Sequence, residues 1–536
     1  MEKITTDELR FYQGIAKKEY DSIISYYDKV NYYCKPYYTR GNVNGEVTKI
    51  NRYVTVFILN CVEDFSNYIM NTLMPRGTEW GKAEIDTDLY ERANLEKMSK
   101  AVLDKNINDI NIKLEKATFK LFKYINNSNY YNQIYSGVFD NVSTGTGIVR
   151  INNLKDFNKP ISFQREDISD CYISENSTGR PAYIFKRHKD YNYLEFKQKF
   201  KFAEWVDSDK SLERRINIYE CVIEKDGQYH HIITDESLDQ ELYYAILPYC
   251  PLVPFRFRGH ENNSYGIGQG MWCLDYFESL SDLMTMDKEH VANVVNPALI
   301  GYGDSNLFSG LMVKAGYLNY GGLQGTPNSL EVKPILPPAR LEVLDSQINK
   351  VKEDIQKAFL VNPLGDIKQN PDLTATEAQL RSRQFRDTFS GVYERLVIEL
   401  LEPIFIASLH ILSDNKLIDI EDEWIKLSKV KFINDIAEEA NFKEVQKLVQ
   451  ATQLGTILGG EGFNQLFIGK GKLRDWIVKR TGVNVEPLNT NEEITALIEQ
   501  AKQEVKMQQQ EQLDIQRGKN ANNQGSQGIG TTDQAL

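Results

Sequence analysis

Apolar residues recur every three or four positions along the first part of the chain, a spacing typical of helices with one buried face. The pattern predicts a first helix over residues 6–34, just before Pro36, and a second over residues 51–74, just before Pro75. Residues 88–140 predict two or more further helices. We therefore expect the chain to open with a helical region.

The spacing of apolar residues along the chain changes after residue 147. From 147 to 257 the chain has short runs of β-branched and aromatic residues, separated by turn residues such as Asp226 and Gly227. These runs predict a mostly antiparallel β region, interrupted by a helix near 193–207.

A helical period returns after Gly266 and predicts one long helix over 270–295, closed by Pro297. Residues 297–338 form an excursion rich in Gly, Pro and Asn, and 339–359 are helical again. The apolar seam of this last helix has a 3-4-3-4 spacing, typical of helices that pack lengthwise on neighbours. Its residues are Leu341, Leu344, Ile348, Val351 and Ile355.

A loop punctuated by Pro, Gly and Asn follows at 361–377 and is longer than a turn between helices requires, so we expect it to be functional. Residues 375–412 predict the longest helix, interrupted only by Pro403. Residues 435–507 are helical in pattern, whereas 508–536 are polar, rich in Gly, Asn and Gln, and expected to be disordered.

Composition narrows the class of protein. The 536 residues include 41% hydrophobic residues, enough for a sizeable core, and carry a net charge of -12. An acidic chain argues against a protein that grips nucleic acid by charge alone. It remains compatible with a protein that handles DNA without holding it.

The six cysteines are scattered and form no C-x-x-C pair, which predicts buried free thiols in a reducing compartment. The beginning of the chain has no apolar segment typical of a signal peptide. The longest apolar run, 54–62, is too short to span a bilayer. We expect a soluble protein made in a cytoplasm, with no membrane partner.

No motif in the sequence indicates catalysis or a cofactor. The glycines of 266–270 lack the G-x-G-x-x-G spacing and are interpreted as a flexible start to the long helix. His230 and His231 are adjacent on a predicted strand, so they point to opposite faces, and the other histidines are isolated. We predict no catalytic, cofactor-binding or metal-binding residue.

Basic residues cluster only on the predicted long helix. Ion pairs with Asp387, Glu394 or Glu399 of a neighbouring helix are favoured for them over phosphate contacts. They are Arg381, Arg383, Arg386 and Arg395.

Four segments, in this order and spacing, resemble the portal protein, or head-to-tail connector, of short-tailed (podovirus-type) tailed bacteriophages. The resemblance covers about residues 50 to 480. One departure is Ile267, where the family often has Arg after tyrosine-glycine. The segments are 73–80 (LMPRGTEW), 251–266 (PLVPFRF to Tyr265-Gly266), 295–297 (VNP), and 374–377 (TATE) with 390–393 (SGVY).

The resemblance implies an α+β, mostly helical portal fold that assembles as a ring, usually of twelve subunits, around a central channel. It divides the chain into named parts. These are an outer wing (1–265), a first stem helix (266–296), a clip (297–338), a second stem helix (339–359), a tunnel loop (360–374), a long wing helix with its following segment (375–434), a helical crown (435–507) and a loose tail (508–536).

Two groups of residues acquire roles from this organisation. The stem seam (Leu341, Leu344, Ile348, Val351 and Ile355) would pack the stem helices of neighbouring subunits. The tunnel loop would face the DNA, with a single Lys beside two Asp and therefore little capacity to grip phosphate. Its channel residues would be Asn362, Leu364, Asp366, Lys368, Gln369 and Asn370.

The implied function is a non-enzymatic DNA conduit at one capsid vertex of the virion, without cofactors, through which double-stranded DNA is packaged and ejected. The implied partners are further copies of the chain, double-stranded DNA, the terminase large subunit, major capsid and scaffolding proteins, tail adaptor and nozzle proteins, and internal core or ejection proteins. Two alternatives stay open: a DNA-binding head-tail adaptor, and a soluble enzyme with an unrecognised active site.

Overall fold

The computed structural model describes residues 3–35, 52–94, 100–206, 213–261, 263–302, 312, 314–323, 333–334, 341–359 and 391–432. Helix accounts for 53% and strand for 23% of them, which confirms the mixed, mostly helical class. The chain divides into two compact units, Met1–Asn434 and Asp435–Leu536, and the described residues all lie in the first. The predicted tunnel loop, crown and tail lie outside the described residues.

The first part of the chain is helical, as the apolar period predicts. The first helix begins at a capping box, in which the Thr5 hydroxyl accepts from the Glu8 amide and the Glu8 carboxylate accepts from the Thr5 amide. The elements are α1 (Thr6–Cys34), α2 (Arg52–Leu73), β1 (Gly81–Ile85), α3 (Thr87–Asn94), α4 (Lys100–Asn127) and α5 (Tyr130–Thr144).

The predicted antiparallel β region is confirmed and consists of two sheets, with strand orders β3-β2-β9 and β4-β5-β6-β7-β8. The interrupting helix, α6 (Tyr193–Lys199), is shorter than predicted. The strands are β2 (Thr146–Asn153), β3 (Ile161–Glu166), β4 (Cys171–Glu175), β5 (Pro181–Tyr191), β6 (Ile216–Lys225), β7 (Gln228–Asp235), β8 (Glu241–Leu247) and β9 (Leu252–Arg256).

A helix pair follows the sheets. A short helix, α7 (Gln269–Trp272), leads into α8 (Leu274–Val295). The predicted excursion contains a small sheet, ordered β11-β10-β12, and the chain returns through α9 (Leu341–Ala358). The sheet strands are β10 (Leu299–Tyr302), β11 (Leu318–Leu323) and β12 (Lys333–Pro334).

The helices α8 and α9 are antiparallel neighbours. At one end, the Gln269 side chain donates to the Ala358 carbonyl over 2.8 Å, and Phe277 stacks on Phe359. At the other end, β10 follows α8 directly and pairs with β12, which shortly precedes α9.

The last described elements return to the body. Helix α10 (Gly391–Asp414) contains a π turn at Val397–Leu401, where the Glu402 amide bonds to the Val397 carbonyl. Pro403 follows, and its missing N–H explains why the regular ladder is interrupted there. Helix α11 (Asp422–Lys426) then leads to β13 (Ser428–Phe432), which pairs antiparallel with β1. Neither of these two strands was predicted.

The main core cluster joins α2, α4, α5, α8, α9 and α10 to the β3-β2-β9 sheet. Trp80 is a fully buried member of this cluster, with its ring beside those of Phe122, Tyr130 and Phe405. Helix α10 is long and apolar enough to cross a membrane, but 67% of its apolar window is buried inside this chain, as expected of a core helix. Five of the six cysteines are buried and all six are free, in agreement with the prediction of buried thiols.

Candidate functional site

Within the described residues, the buried positions of α8 all lie near its beginning. At its beginning, α8 buries Leu274, Phe277 and Leu280, whereas no residue of 281–295, a stretch described throughout, is fully buried. Phe359, directly after α9, is buried against Phe277 and Phe65. The far part of the pair therefore projects from the packed body.

The predicted seam of α9 faces the chain's own core. Ile348 and Ile355 are buried in the main core cluster, and Leu344 and Val351 pack against it. Leu341 is the first residue of α9. Neighbouring elements of the same chain are α8 and α2, so the seam already buries apolar surface within the single chain.

A different face of the pair is exposed and apolar. Trp272 is 62% exposed, and Tyr276, Met286 and Val294 continue the same stripe at helical spacing. Carboxylates flank the stripe, since α8 carries five acidic residues against one lysine. The acidic residues are Asp275, Glu278, Asp282, Asp287 and Glu289.

Close-packed glycines join α7 to the body. A Cβ on Gly266 would lie 2.2 Å from the Gly145 carbonyl oxygen, and one on Gly268 would lie 2.5 Å from the Gly145 nitrogen. The Tyr27 hydroxyl donates to the Gly266 carbonyl over 3.0 Å, and Thr146 accepts from the Gly266 amide over 2.8 Å. The interpretation of 266–270 as a flexible helix start is therefore wrong, because its backbone packs directly on the α5–β2 junction.

A buried ion pair joins β9 to α10. The Arg256 guanidinium and backbone amide both donate to the Glu399 carboxylate, which the π turn of α10 presents, and Arg256 also pairs with Glu175. Arg395 lies one turn before Glu399 and pairs with it over 3.3 Å. The predicted ion pair of Arg395 with a neighbouring helix is thus replaced by one within its own helix; the other three arginines lie outside the described residues.

A second buried cluster joins the two β sheets. The Glu220 carboxylate on β6 is inaccessible to solvent and accepts two hydrogen bonds from Arg150 on β2 and one each from His188 and His231. Arg150 also donates to Glu166 over 2.6 Å. His188, predicted to be isolated, and His231, predicted to face away from His230, therefore share the Glu220 carboxylate. His230 points to the other face of the sheet, as predicted, and contacts Tyr244.

The electrostatics of this cluster follow from burial and pairing. Burial alone would raise the pKa of Glu220, but the Arg150 charge and the histidine hydrogen bonds outweigh it and hold that pKa well below its usual range. Burial lowers the pKa of His188 to about 4, against the opposing effect of Glu220. The structure thus favours a charged Glu220 beside a neutral His188.

The predicted channel residues, 362–370, lie outside the described residues. In the described part of the chain, no group of three or more His, Cys, Asp or Glu side chains has the geometry of a metal site. Both charge clusters are buried and internally paired, so they join elements of the fold. The surface that remains for partners includes the exposed stripe of α7 and α8.

The described residues form a mixed α/β body with a projecting helix pair. The family model described as the bacteriophage head to tail connecting protein matches residues 9–459, and the chain belongs to this family. Membership places the protein in the phage virion at the junction of head and tail, in association with capsid and tail components. A comparison with curated proteins found no match.

Proposed function

We propose that the protein is the portal of a short-tailed phage: a ring of twelve copies at one capsid vertex through which double-stranded DNA is packaged and later ejected. In this proposal residues 1–265 form the wing, α7–α8 and α9 form the stem, and the β10–β12 sheet belongs to the clip. Residues 360–374 form the tunnel loop, and 435–507 form the crown.

The observation that carries the proposal is the projecting helix pair with its exposed apolar stripe. Exposed apolar side chains in one stripe do not stabilise a monomer, so they indicate a contact with another molecule. The stripe consists of Trp272, Tyr276, Met286 and Val294. A neighbouring copy would bury them, and a head-to-tail contact whose rotation closes gives a ring.

The acidic charge of α8 supports a channel through which DNA moves and argues against a protein that holds DNA in place. Five carboxylates against one lysine repel a phosphate backbone. Lysine and arginine contacts would instead hold DNA in a salt-dependent way and resist its movement. DNA inside an acidic ring can slide.

The partners follow from the two ends of such a ring. The clip would contact the terminase large subunit during packaging and the tail adaptor and nozzle proteins afterwards. The wing and crown would contact the major capsid, scaffolding and internal core or ejection proteins. Synthesis would take place in the host cytoplasm.

Negative-stain microscopy of the purified full chain tests the proposal. We expect rings with a central hole for the wild type and for a control variant, Phe157→Glu/Phe202→Glu, which alters exposed aromatic residues of the body. The stripe variant Tyr276→Glu/Met286→Glu should give no rings. A monodisperse wild-type monomer under assembly conditions contradicts the proposal, and tight duplex binding with a steep salt dependence supports a DNA-binding adaptor instead.

A further inference from the structure

Helix α4 carries a basic face on a chain that is otherwise acidic. Lys113, Lys116, Lys120 and Lys123 are all exposed and, at 3.6 residues per turn, lie within about 80° of one another around the helix. The net charge of the chain is -12, so four lysines on one helical face depart from its overall balance. We call this face, together with Ile112 and Phe119, the α4 surface.

Two large apolar side chains border the lysines. Ile112 is 51% exposed and Phe119 is 64% exposed, and they stand seven residues apart on one side of the lysine row. That interval is one heptad, about 10 Å along the helix axis. The apolar pair and the lysine row are therefore parallel stripes along α4.

The carboxylates near this surface compensate Lys113 but leave most of the lysine row without an acidic partner in the described residues. Asp109 is exposed at its beginning, one turn before Lys113, and Glu115 lies on the far side of Ile112, where it pairs with Lys82 over 3.2 Å. Lys113 lies over the Trp424 ring and 4.0 Å from Asp419, and Lys120 donates to the Leu417 carbonyl.

Lys116 and Lys123 are exposed on either side of Phe119 along α4. Within the described part of the chain, no hydrogen bond or ion pair engages either ammonium group. These two cations and the exposed ring between them form the centre of the surface.

We propose that the α4 surface docks an acidic amphipathic helix of another protein. The lysine row requires a partner rich in Asp and Glu, and the apolar pair requires partner side chains one heptad apart, as in a helix that packs lengthwise. A duplex backbone would satisfy the lysines but leave the Phe119 and Ile112 side chains against phosphates. The proposal does not depend on ring formation.

The test uses the full-length protein and a fluorescein-labelled peptide of about three heptads, with leucines at the a and d positions and glutamates elsewhere. We expect binding that weakens with salt and is reduced about tenfold or more by Lys116→Glu/Lys123→Glu and by Phe119→Ser. Lys17→Glu/Lys18→Glu, an exposed lysine pair on α1, should change the affinity less than about twofold.

Four results would overturn the proposal. In the first, the wild type binds no peptide. In the second, a peptide with glutamine in place of leucine binds equally well. Alternatively, a 20-bp duplex binds and is lost in the lysine variant but retained by Phe119→Ser, which identifies a nucleic-acid surface. Finally, the lysine variant changes the oligomeric state, which identifies a contact between copies of this chain.

Discussion

At the scale of single residues, Glu220 is a buried carboxylate that depends on its partners. Its carboxylate has no solvent contact, and Arg150 supplies two of its four hydrogen bonds. Removing one partner of a buried ion pair leaves an uncompensated charge, which is far costlier than losing a surface pair. The stability of the two-sheet region should therefore depend strongly on Arg150.

Arg150→Met should lower the free energy of unfolding by about 3–5 kcal/mol, because Glu220 and Glu166 both lose their guanidinium partner inside the protein. Chemical denaturation followed by fluorescence measures this change. Lys189→Ala is the matched control, since Lys189 on β5 pairs with Asp170 near the surface and should cost about 0–1 kcal/mol. Equal costs for the two variants would contradict the structural role given to Arg150.

His188 should make the fold sensitive to mild acid. An unfolded histidine has a pKa of about 6.5, whereas burial lowers the pKa of His188 to about 4, so the unfolded chain binds this proton first as pH falls. The free energy of unfolding should decrease by about 3 kcal/mol from pH 6.5 to pH 4. Below about pH 4.5, protonation of Glu166 and Glu220, whose pKa values are lowered, removes further stability.

The Tm measured between pH 7.5 and pH 4.5 tests the histidine contribution. His188→Gln can still donate a hydrogen bond to Glu220 but has no proton to gain. Its Tm should fall less steeply with decreasing pH than the wild-type Tm. Parallel curves would assign the acid sensitivity to other groups.

The sequence contains every residue of this cluster but does not indicate that these residues lie together. Alternation along β7 correctly separates His230 from His231. This alternation does not indicate which strands pair with β7. Only the register of β5, β6 and β7 brings His188 and His231 to Glu220, and only sheet packing adds Arg150 from β2.

At the scale of elements, the junction of α7 with the body depends on backbone contact. Gly266→Ala would place a methyl group 2.2 Å from the Gly145 carbonyl oxygen, a distance that forces backbone movement. We expect a loss of about 1–3 kcal/mol in the free energy of unfolding. Chemical denaturation of the purified variant measures it.

Gly14→Ala is the control for this substitution. Gly14 lies within α1 and a Cβ there would meet nothing within 4 Å. Alanine should stabilise that helix by about 0.5–1 kcal/mol. If Gly266→Ala were equally harmless, the close packing of the junction would be incorrect.

Elements with a long apolar period were predictable, and those that depend on distant partners were not. The bounds of α1 and α2 follow from apolar spacing and capping, within two residues of the prediction. Strand β1 has only Gly81, Ala83 and Ile85 on its buried face, too little side chain to produce an apolar signal, and its partner β13 lies far along the chain. The close packing of glycines 266–270 could not be predicted for the same reason, because their packing partner Gly145 is distant in sequence.

At the scale of the whole molecule, the predicted tunnel loop begins directly after an anchored residue. Phe359 is fully buried between Phe277 and Phe65, so the body holds the end of α9. The exposed stripe lies on α7 and α8, which precede the predicted loop in the sequence. Assembly and DNA handling should therefore be separable.

Deleting Leu364–Pro371 should leave rings intact in negative stain but reduce DNA packaging or retention, measured as nuclease-protected DNA per particle. Deleting eight residues of the tail, 529–536, is the control of equal length and should leave both properties unchanged. Lys368→Ala should retain packaging within about twofold, because a single lysine beside two aspartates contributes little phosphate attraction. Failure of the loop deletion to form rings would show that these residues build the assembly, and a large effect of Lys368→Ala would show that the loop grips DNA by charge.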